Sequence, residues 1–262
     1  MSTLIPPVSI TLLGVGSSGG SPALGCTCAT CTSTDPKNRR TRASAVLRVD
    51  GLTLLIDTGP DLRQQTLREG LLHVDAVLYT HPHADHLHGI DDLRAFCWLN
   101  KAAIPVYGNP LMAEHIKTRF SYTLLPPGQY WDKPVLTLHE IDDQPFHIKD
   151  TLITPLPVMH GKWPILGFRV GNVAYLTDVS HIPEETYALL DGLDVLMLDC
   201  LRPVPHPTHF GVGQAIEAAT RIGARRTVFI HMTHELEFHA LSAQLPAGME
   251  VGFDGMQIEA ER

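Results

Sequence analysis

His81-Pro82-His83-Ala84-Asp85-His86 sets three imidazoles and a carboxylate within six residues. It directly follows Val74–Thr80, an apolar run of strand length, so these side chains are expected at the end of a buried strand, with a helix beginning near Leu87. Nitrogen and oxygen donors this close together suit Zn, Mn or Fe. One histidine alone is more often a packed or surface residue; it is the clustering that reads as metal binding. Three more residues complete the constellation. His160 follows the Thr151–Val158 run, Asp178 closes Tyr175-Leu176-Thr177, and His231 closes Phe229-Ile230. Each polar residue stops an apolar run, where α/β architectures place functional groups. With His81, His83, Asp85 and His86 they make seven ligands, enough for two divalent ions.

The rest of the composition fits a soluble globular protein. Of 262 residues, 44% are hydrophobic and 18% charged. No run approaches the ~18–20 apolar residues of a membrane helix. Residues 1–7, Met-Ser-Thr-Leu-Ile-Pro-Pro, lack the basic start and long apolar stretch of a secretory signal. A net charge of −8, from 20 basic and 28 acidic residues, argues against a large nucleic-acid footprint but leaves room for a small anionic substrate. Of five cysteines, Cys26, Cys28 and Cys31 are crowded in a pattern that reads as metal ligation rather than a disulfide framework. Cys97 and Cys200 lie in apolar contexts and are expected as core thiols. The expected compartment is the cytoplasm.

Strand-like runs fall at 8–15, 45–49, 53–56, 76–80, 151–155, 167–170, 174–177, 195–198 and 227–230. Helical patterns fall at 61–69, 91–100, 183–190 and 213–222. Asp254-Gly255, between Glu250–Phe253 and Met256–Glu259, predicts a closing hairpin. No repeat or linker divides the chain, so residues 1–262 are expected to form one domain. Paired strands followed by strand–helix alternation predict two sheets between outer helices. The aromatic segment Phe120–Pro134 reads equally as a cover for a pocket or as a locally packed connector. Gly14-x-Gly16-x-x-Gly19 matches a dinucleotide fingerprint by letter, but no helix pattern follows it, so these glycines are expected to let a tight loop approach the metal region.

His-x-His-x-Asp-His followed by single His, Asp and His at strand ends resembles the metallo-β-lactamase superfamily, a four-layer αββα sandwich of the α/β (α+β) class. That resemblance implies that His81, His83 and His160 hold one ion and Asp85, His86 and His231 the second, with Asp178 bridging. Asp57, in Leu54-Leu55-Ile56-Asp57-Thr58-Gly59, would support the metal loop. Gly19-Gly20-Ser21-Pro22, the cysteine cluster, His231-x-x-His234, Asp199-Cys200 and Val251–Met256 are similar to the PhnP-type cyclic phosphodiesterases of the carbon–phosphorus lyase pathway. This implies a structural zinc on Cys26, Cys28, Cys31 and His234, in a loop around 19–42. It also implies catalytic roles for His209 and Lys162 beside Asp85, although Phe210-Gly211 departs from the family's polar pair. The expected reaction is hydrolysis of 5-phosphoribosyl 1,2-cyclic phosphate by a hydroxide bridging two catalytic metals, Mn or Zn with Fe as a third option. A homodimer is compatible with the chain. The rival readings are a tRNA-processing endonuclease, which would need a basic extension; a thioester or lactone hydrolase, which has no need of the cysteines; and a non-hydrolytic relative of PqqB, whose metal motif is degenerate.

Overall fold

Alternation of side-chain direction along the strands builds two cores. In the computed structural model, which describes residues 8–126 and 135–260, the first sheet contains β1 (Ser9–Gly14), β2 (Ser44–Val49), β3 (Leu52–Ile56), β4 (Ala76–Leu78), β5 (Ile104–Gly108) and β6 (Leu136–Glu140). The second contains β7 (Phe146–Ile148), β8 (Thr151–His160), β9 (Trp163–Val170), β10 (Val173–Leu176), β11 (Val195–Asp199), β12 (Arg226–Ile230) and β13 (Met249–Val251). A last strand, β14 (Gln257–Glu259), returns to the first sheet beside β1, so each sheet has seven strands of mixed direction. Ala45, Leu47, Leu54 and Ile56 point into the core shared with the second sheet. Their neighbours Val46 and Leu55 point the other way, into a second core under the helices. A one-residue slip of register would exchange the two faces.

The helices cover both outer faces. α1 (Ala29–Thr32) is a single turn in the cysteine loop, α2 spans Leu62–Arg68, α3 is the short turn Ala84–Leu87, α4 spans Leu93–Asn100 and α5 spans Pro110–Arg119. Leu62, Leu93, Phe96, Met112 and Ile116 of this group pack on the first sheet. α6 (Glu184–Leu189), α7 (Val212–Ile222) and α8 (Phe238–Ser242) follow, and Ala215, Ala218, Phe238 and Leu241 pack on the second. The result is the expected αββα sandwich. Among the described residues no helix is long and apolar enough to cross a membrane.

Three expectations need correction. Asp254-Gly255 does not close a hairpin: β13 runs parallel to β12 in one sheet, while β14 pairs antiparallel with β1 in the other. The turn is a corner between sheets, because the Asp254 carboxylate accepts from Val15 N and Thr41 N at 3.0 and 2.8 Å and Gly255 N donates to Leu12 O. The helix expected near Leu87 instead begins at Ala84 and ends there, with His83 at its N-cap. β8 and β9 run well past 151–155 and 167–170, forming one long hairpin whose tip reaches the metal-ligand cluster. As to the aromatic segment 120–134, residues 127–134 lie outside the described residues. Its described start is a short 3₁₀ turn, Ser121–Leu124, with Tyr122 donating to Asp91 at 2.7 Å. Cys97 and Cys200 are both buried, as expected.

Candidate metal centre

Six strand ends deliver the polar side chains to one edge of the sandwich. β3 ends before Asp57, β4 leads to Thr80 and the histidine motif, β8 ends at His160, β10 precedes Asp178, β11 ends at Asp199 and β12 precedes His231. Asp57, Asp178 and His231 all have φ of 59°, in the left-handed region that non-glycine residues seldom enter. The chain turns sharply at each of them and aims the side chain along the edge. Gly59 lets the motif close on this frame, since a Cβ there would lie 2.2 Å from the Asp85 carbonyl oxygen.

Ligand atoms of His81, His83, His160 and Asp178 lie within 4.8 Å of one another, as do those of Asp85, His86 and His231. Asp178 is shared between the two groups. Its Oδ1 faces His81 Nε2 at 3.9 Å, and its Oδ2 faces His86 and His231 Nε2 at 3.1 and 3.3 Å. The structure thus brings together all seven strand-end residues singled out in the sequence.

The imidazoles are oriented from behind. His81 Nδ1 meets Thr80 Oγ1 at 3.0 Å, His86 Nδ1 meets Asp57 Oδ2 at 2.7 Å, and His160 Nδ1 meets the Thr208 carbonyl at 2.9 Å. Asp57 also accepts from Thr80 N and Oγ1, both at 2.8 Å, which fixes the loop carrying the motif. Such backing turns each Nε2 inward and sets its tautomer. His86 Nε2 and His231 Nε2 are buried without a hydrogen-bond partner, and both face carboxylate oxygens. Buried nitrogens converging on carboxylates in this way fit divalent cations of the Zn, Mn or Fe type.

Electrostatics divide the cluster. Burial, reinforced in His81 by the neighbouring His86, holds His81, His83 and His160 below the usual histidine range. Burial opposes charge on His86 and His231 too, but carboxylates outweigh it. Asp178, Asp85 and Asp57 raise His86, and Asp178 with Asp199 raises His231 to about 10. In return these imidazoles hold Asp85 and Asp178 well below the usual carboxylate range, against the effect of burial. A cation bound at this half displaces protons as it binds.

His209 is not a solvated loop residue. It is 8% exposed, its ring stacks on His231 at 5.0 Å, and its Nε2 stands 3.8 Å from Asp178 Oδ1. The residue that places it is Asp199, which the sequence singled out only as part of the Asp199-Cys200 resemblance, with no role assigned. Its Oδ1 lies 3.3 Å from His209 Nδ1 and 3.4 Å from His231 Nδ1, and its Oδ2 accepts from Phe210 N at 3.0 Å. The available signal was that Asp199 ends a strand as Asp178 does. Lys162 stands exposed in the β8–β9 turn, and among the described residues no hydrogen bond or ion pair joins it to the cluster. Trp163, beside it, tilts over His83 at 5.2 Å.

The thiols form a separate group. Cys26, Cys28 and Cys31 Sγ and a His234 ring nitrogen lie within 4.8 Å of one another, with Cys26 and Cys28 at 3.4 and 3.3 Å from His234 Nδ1. Tetrahedral zinc has an S···N edge of roughly 3.6 Å, so the donor set fits that ion. The hydrogen bond from His234 lowers the Cys28 thiol to about 6, while burial raises that of Cys31. Arg40, fully buried, ties this region to the sandwich by donating to Thr233 O at 2.9 Å and Leu236 O at 2.6 Å, on either side of His234.

A family signature described as a beta-lactamase superfamily domain matches residues 53–232. The crystal structure of a diphosphatase from the PhnP family superposes with a TM-score of 0.91 at 39% identity, covering 98% of both chains. The octanoyltransferase of Porphyromonas gingivalis W83 is 39% identical over 250 residues; these are 94% of this chain but 50% of that protein, so the chain spans about half of this curated relative. Zn²⁺-bound PqqB from Methylobacterium extorquens shares the fold, with a TM-score of 0.75 at 21% identity over 95% of this chain and 99% of its own. The ligand-bearing strand ends fall within the matched signature and the thiol cluster within the full-length superposition, and the chain belongs to the metallo-β-lactamase superfamily, in its PhnP family.

Proposed function

We propose that this protein is a metal-dependent hydrolase acting at phosphorus, with a small cyclic ribose phosphate, 5-phosphoribosyl 1,2-cyclic phosphate, as its substrate. The observation that carries the reading is the division of Asp178 between the two histidine groups, with His209 Nε2 3.8 Å from Asp178 Oδ1. His81, His83 and His160 would hold one divalent ion, Asp85, His86 and His231 the other, with Asp178 between them. When bound, the ions supply positive charge against the phosphoryl oxygens and a lowered pKa for water.

The protein's own groups do the rest. Asp199 accepts from Nδ1 of His209, so His209 can present an Nε2 proton toward the site. As the oxygen of a water molecule bonds to phosphorus and the bond to the ribose oxygen breaks, that proton goes to the departing oxygen, and the proton released by the attacking water returns to His209. Donation of this kind contributes typically ~10²–10⁴ in rate. Lys162, exposed two residues beyond His160, would offer positive charge to an arriving phosphate. Cys26, Cys28, Cys31 and His234 would hold a structural zinc and take no part in the reaction.

A second reading, hydrolysis of a phosphoanhydride, is favoured by the similarity to the PhnP-family diphosphatase. It needs less from His209, because a phosphate leaving group requires little protonation. The deciding experiment compares turnover of the cyclic ribose phosphate, a nucleoside diphosphate, a lactone and an octanoyl thioester, the last because of the P. gingivalis relative. Preference for the cyclic diester upholds the proposal, and preference for the anhydride selects the second reading. Faster turnover of the thioester or lactone refutes both.

A further inference from the structure

The glycine-rich turn after β1 opens no helix, and it forms one wall of a cleft of about 420 Å³ that the metal-ligand residues do not line. Gly19 and Gly20 lie on one side and Arg39, Arg40, Arg42 and Arg68 line the rest. In a chain with net charge −8, four guanidinium groups here face only two lining carboxylates, Asp61 and Asp254. Those carboxylates are already engaged. Asp61 accepts from Arg42 N at 2.9 Å and pairs with Arg42 Nη1 at 3.3 Å. Asp254 accepts from Val15 N, Thr41 N and Thr41 Oγ1 and pairs with Arg68 at 3.2 Å.

Arg68 is spent on Glu69, Asp254 and Leu13 O, and Arg40 gives Nη1 and Nη2 to Thr233 O and Leu236 O, but donors remain around the cleft. Arg40 is 2% exposed and its Nε has no partner; Arg42 Nε is likewise buried and unpartnered. Arg39 is exposed, and among the described residues its guanidinium makes no hydrogen bond or ion pair. Unpartnered guanidinium nitrogens around a concavity match the planar recognition of a phosphate group. The cleft also adjoins the metal centre: a Cβ on Gly59 would lie 2.2 Å from the Asp85 carbonyl oxygen and 3.4 Å from Arg42 Cβ. Two residues before Gly19, Ser17 N donates to Met232 O, next to His231.

We infer that this cleft is a second anion-binding site, taking the phosphate group of a phosphorylated small molecule beside the metal centre. The ligand is either the distal phosphate of the substrate or a separate phosphate monoester. The inference stands whichever bond the metal centre breaks.

The test uses the metal-loaded full chain with Arg39→Glu and Arg42→Gln. Turnover of bis(p-nitrophenyl) phosphate, which carries no distal phosphate, reports on the metal centre and is expected to stay unchanged in Arg39→Glu. Ribose 5-phosphate binding, measured by titration calorimetry, is expected to weaken about ten- to hundredfold in each variant, as for loss of one charge-assisted contact. Binding of ribose itself should be unaffected. Two kinetic arms separate the sources. Should the phosphate belong to the substrate, Arg39→Glu lowers kcat/KM for 5-phosphoribosyl 1,2-cyclic phosphate and spares the cyclic ribose phosphate lacking the 5-phosphate. Should it be a separate ligand, ribose 5-phosphate binds without competing with bis(p-nitrophenyl) phosphate and both cyclic substrates respond alike. Unchanged ribose 5-phosphate affinity in both folded, metal-replete variants, or no binding by the wild type, overturns the inference.

Discussion

Asp199→Asn tests a side chain that stands behind two imidazoles at once, His209 and His231. The change keeps shape and volume at a position with no exposed surface, so the core is not disturbed. What changes is acceptor capacity. Oδ1 accepts from His209 Nδ1 and Asp178 N and stands at ion-pair distance, 3.4 Å, from His231 Nδ1, while Oδ2 accepts from Phe210 N. An amide has one oxygen and must choose. Facing the imidazoles, it sets its NH₂ against the Phe210 N–H; facing Phe210, it sets NH₂ against both rings and forces their tautomers over. Losing the carboxylate behind one ligating or catalytic histidine typically costs about 10–100-fold in metal affinity or activity. Two histidines share this carboxylate, so the ceiling is the product, ~10⁴, or about 5.5 kcal/mol at 1.36 kcal/mol per decade. Retention of one acceptor oxygen brings the expected loss to about 10²–10³ in kcat/KM. The assay pairs kcat/KM on the cyclic ribose phosphate with metal content by mass spectrometry and a melting curve. A folded variant with full metal content and activity within about threefold of wild type would falsify the placement of Asp199 behind these rings.

Asp85→Ala should yield a folded protein that has lost one catalytic metal and its turnover; a metal content equal to wild type would count against the two-ion assignment. His209→Ala should keep both metals and slow the cyclic diester by ~10²–10⁴ while sparing an aryl diester, whose leaving group needs no proton; equal losses on both substrates remove it from the acid role. Cys28→Ser should release the structural zinc and lower the melting temperature more than it changes kcat, and full stability with lost activity would contradict a structural site. Burial raises the Asp254 carboxyl above the usual carboxylate range, to about 6. Its contribution to stability is complete below pH 3.8 and is lost as pH rises through about 6, a span of about 2–3 kcal/mol. Urea midpoints across this range should therefore flatten in Asp254→Asn relative to wild type, and parallel curves would sink the assignment.

The metal centre was legible because each ligand interrupts an apolar strand, and a buried strand must end where its polar residue begins. Asp178 and His231 announced themselves this way, each closing a run of apolar residues. The parts that escaped lacked such contrast. β5 carries Pro105 within a short run, which reads as a breaker although the strand is parallel-paired on both sides. α5 did leave a signal, Asn109-Pro110, in which Asn109 caps Met112 N at 2.9 Å and proline takes the first turn. Asp-Gly at 254–255 predicted the right turn and the wrong partners, because local chemistry specifies a reversal but not which sheet receives each arm. Asp199 was legible, in Asp199-Cys200, but its role was not, for a related reason: that role lies in two residues, ten and thirty-two positions onward, that only the fold brings to it.

The left-handed backbone at Asp57, Asp178 and His231 sets the terms on which this sequence can drift. Glycine occupies that conformation freely, whereas an ordinary side chain there stores roughly 1–2 kcal/mol of strain. Selection for activity therefore holds the chain uphill at three positions where relaxation is a single residue away. A lineage released from that selection is expected to accumulate glycine at 178 and 231 and to become more robust as it falls silent. Asp57 should resist longer, since its carboxylate also fastens Thr80. Among decayed descendants, loss of the ligands would then mark a gain in thermal endurance rather than the onset of collapse.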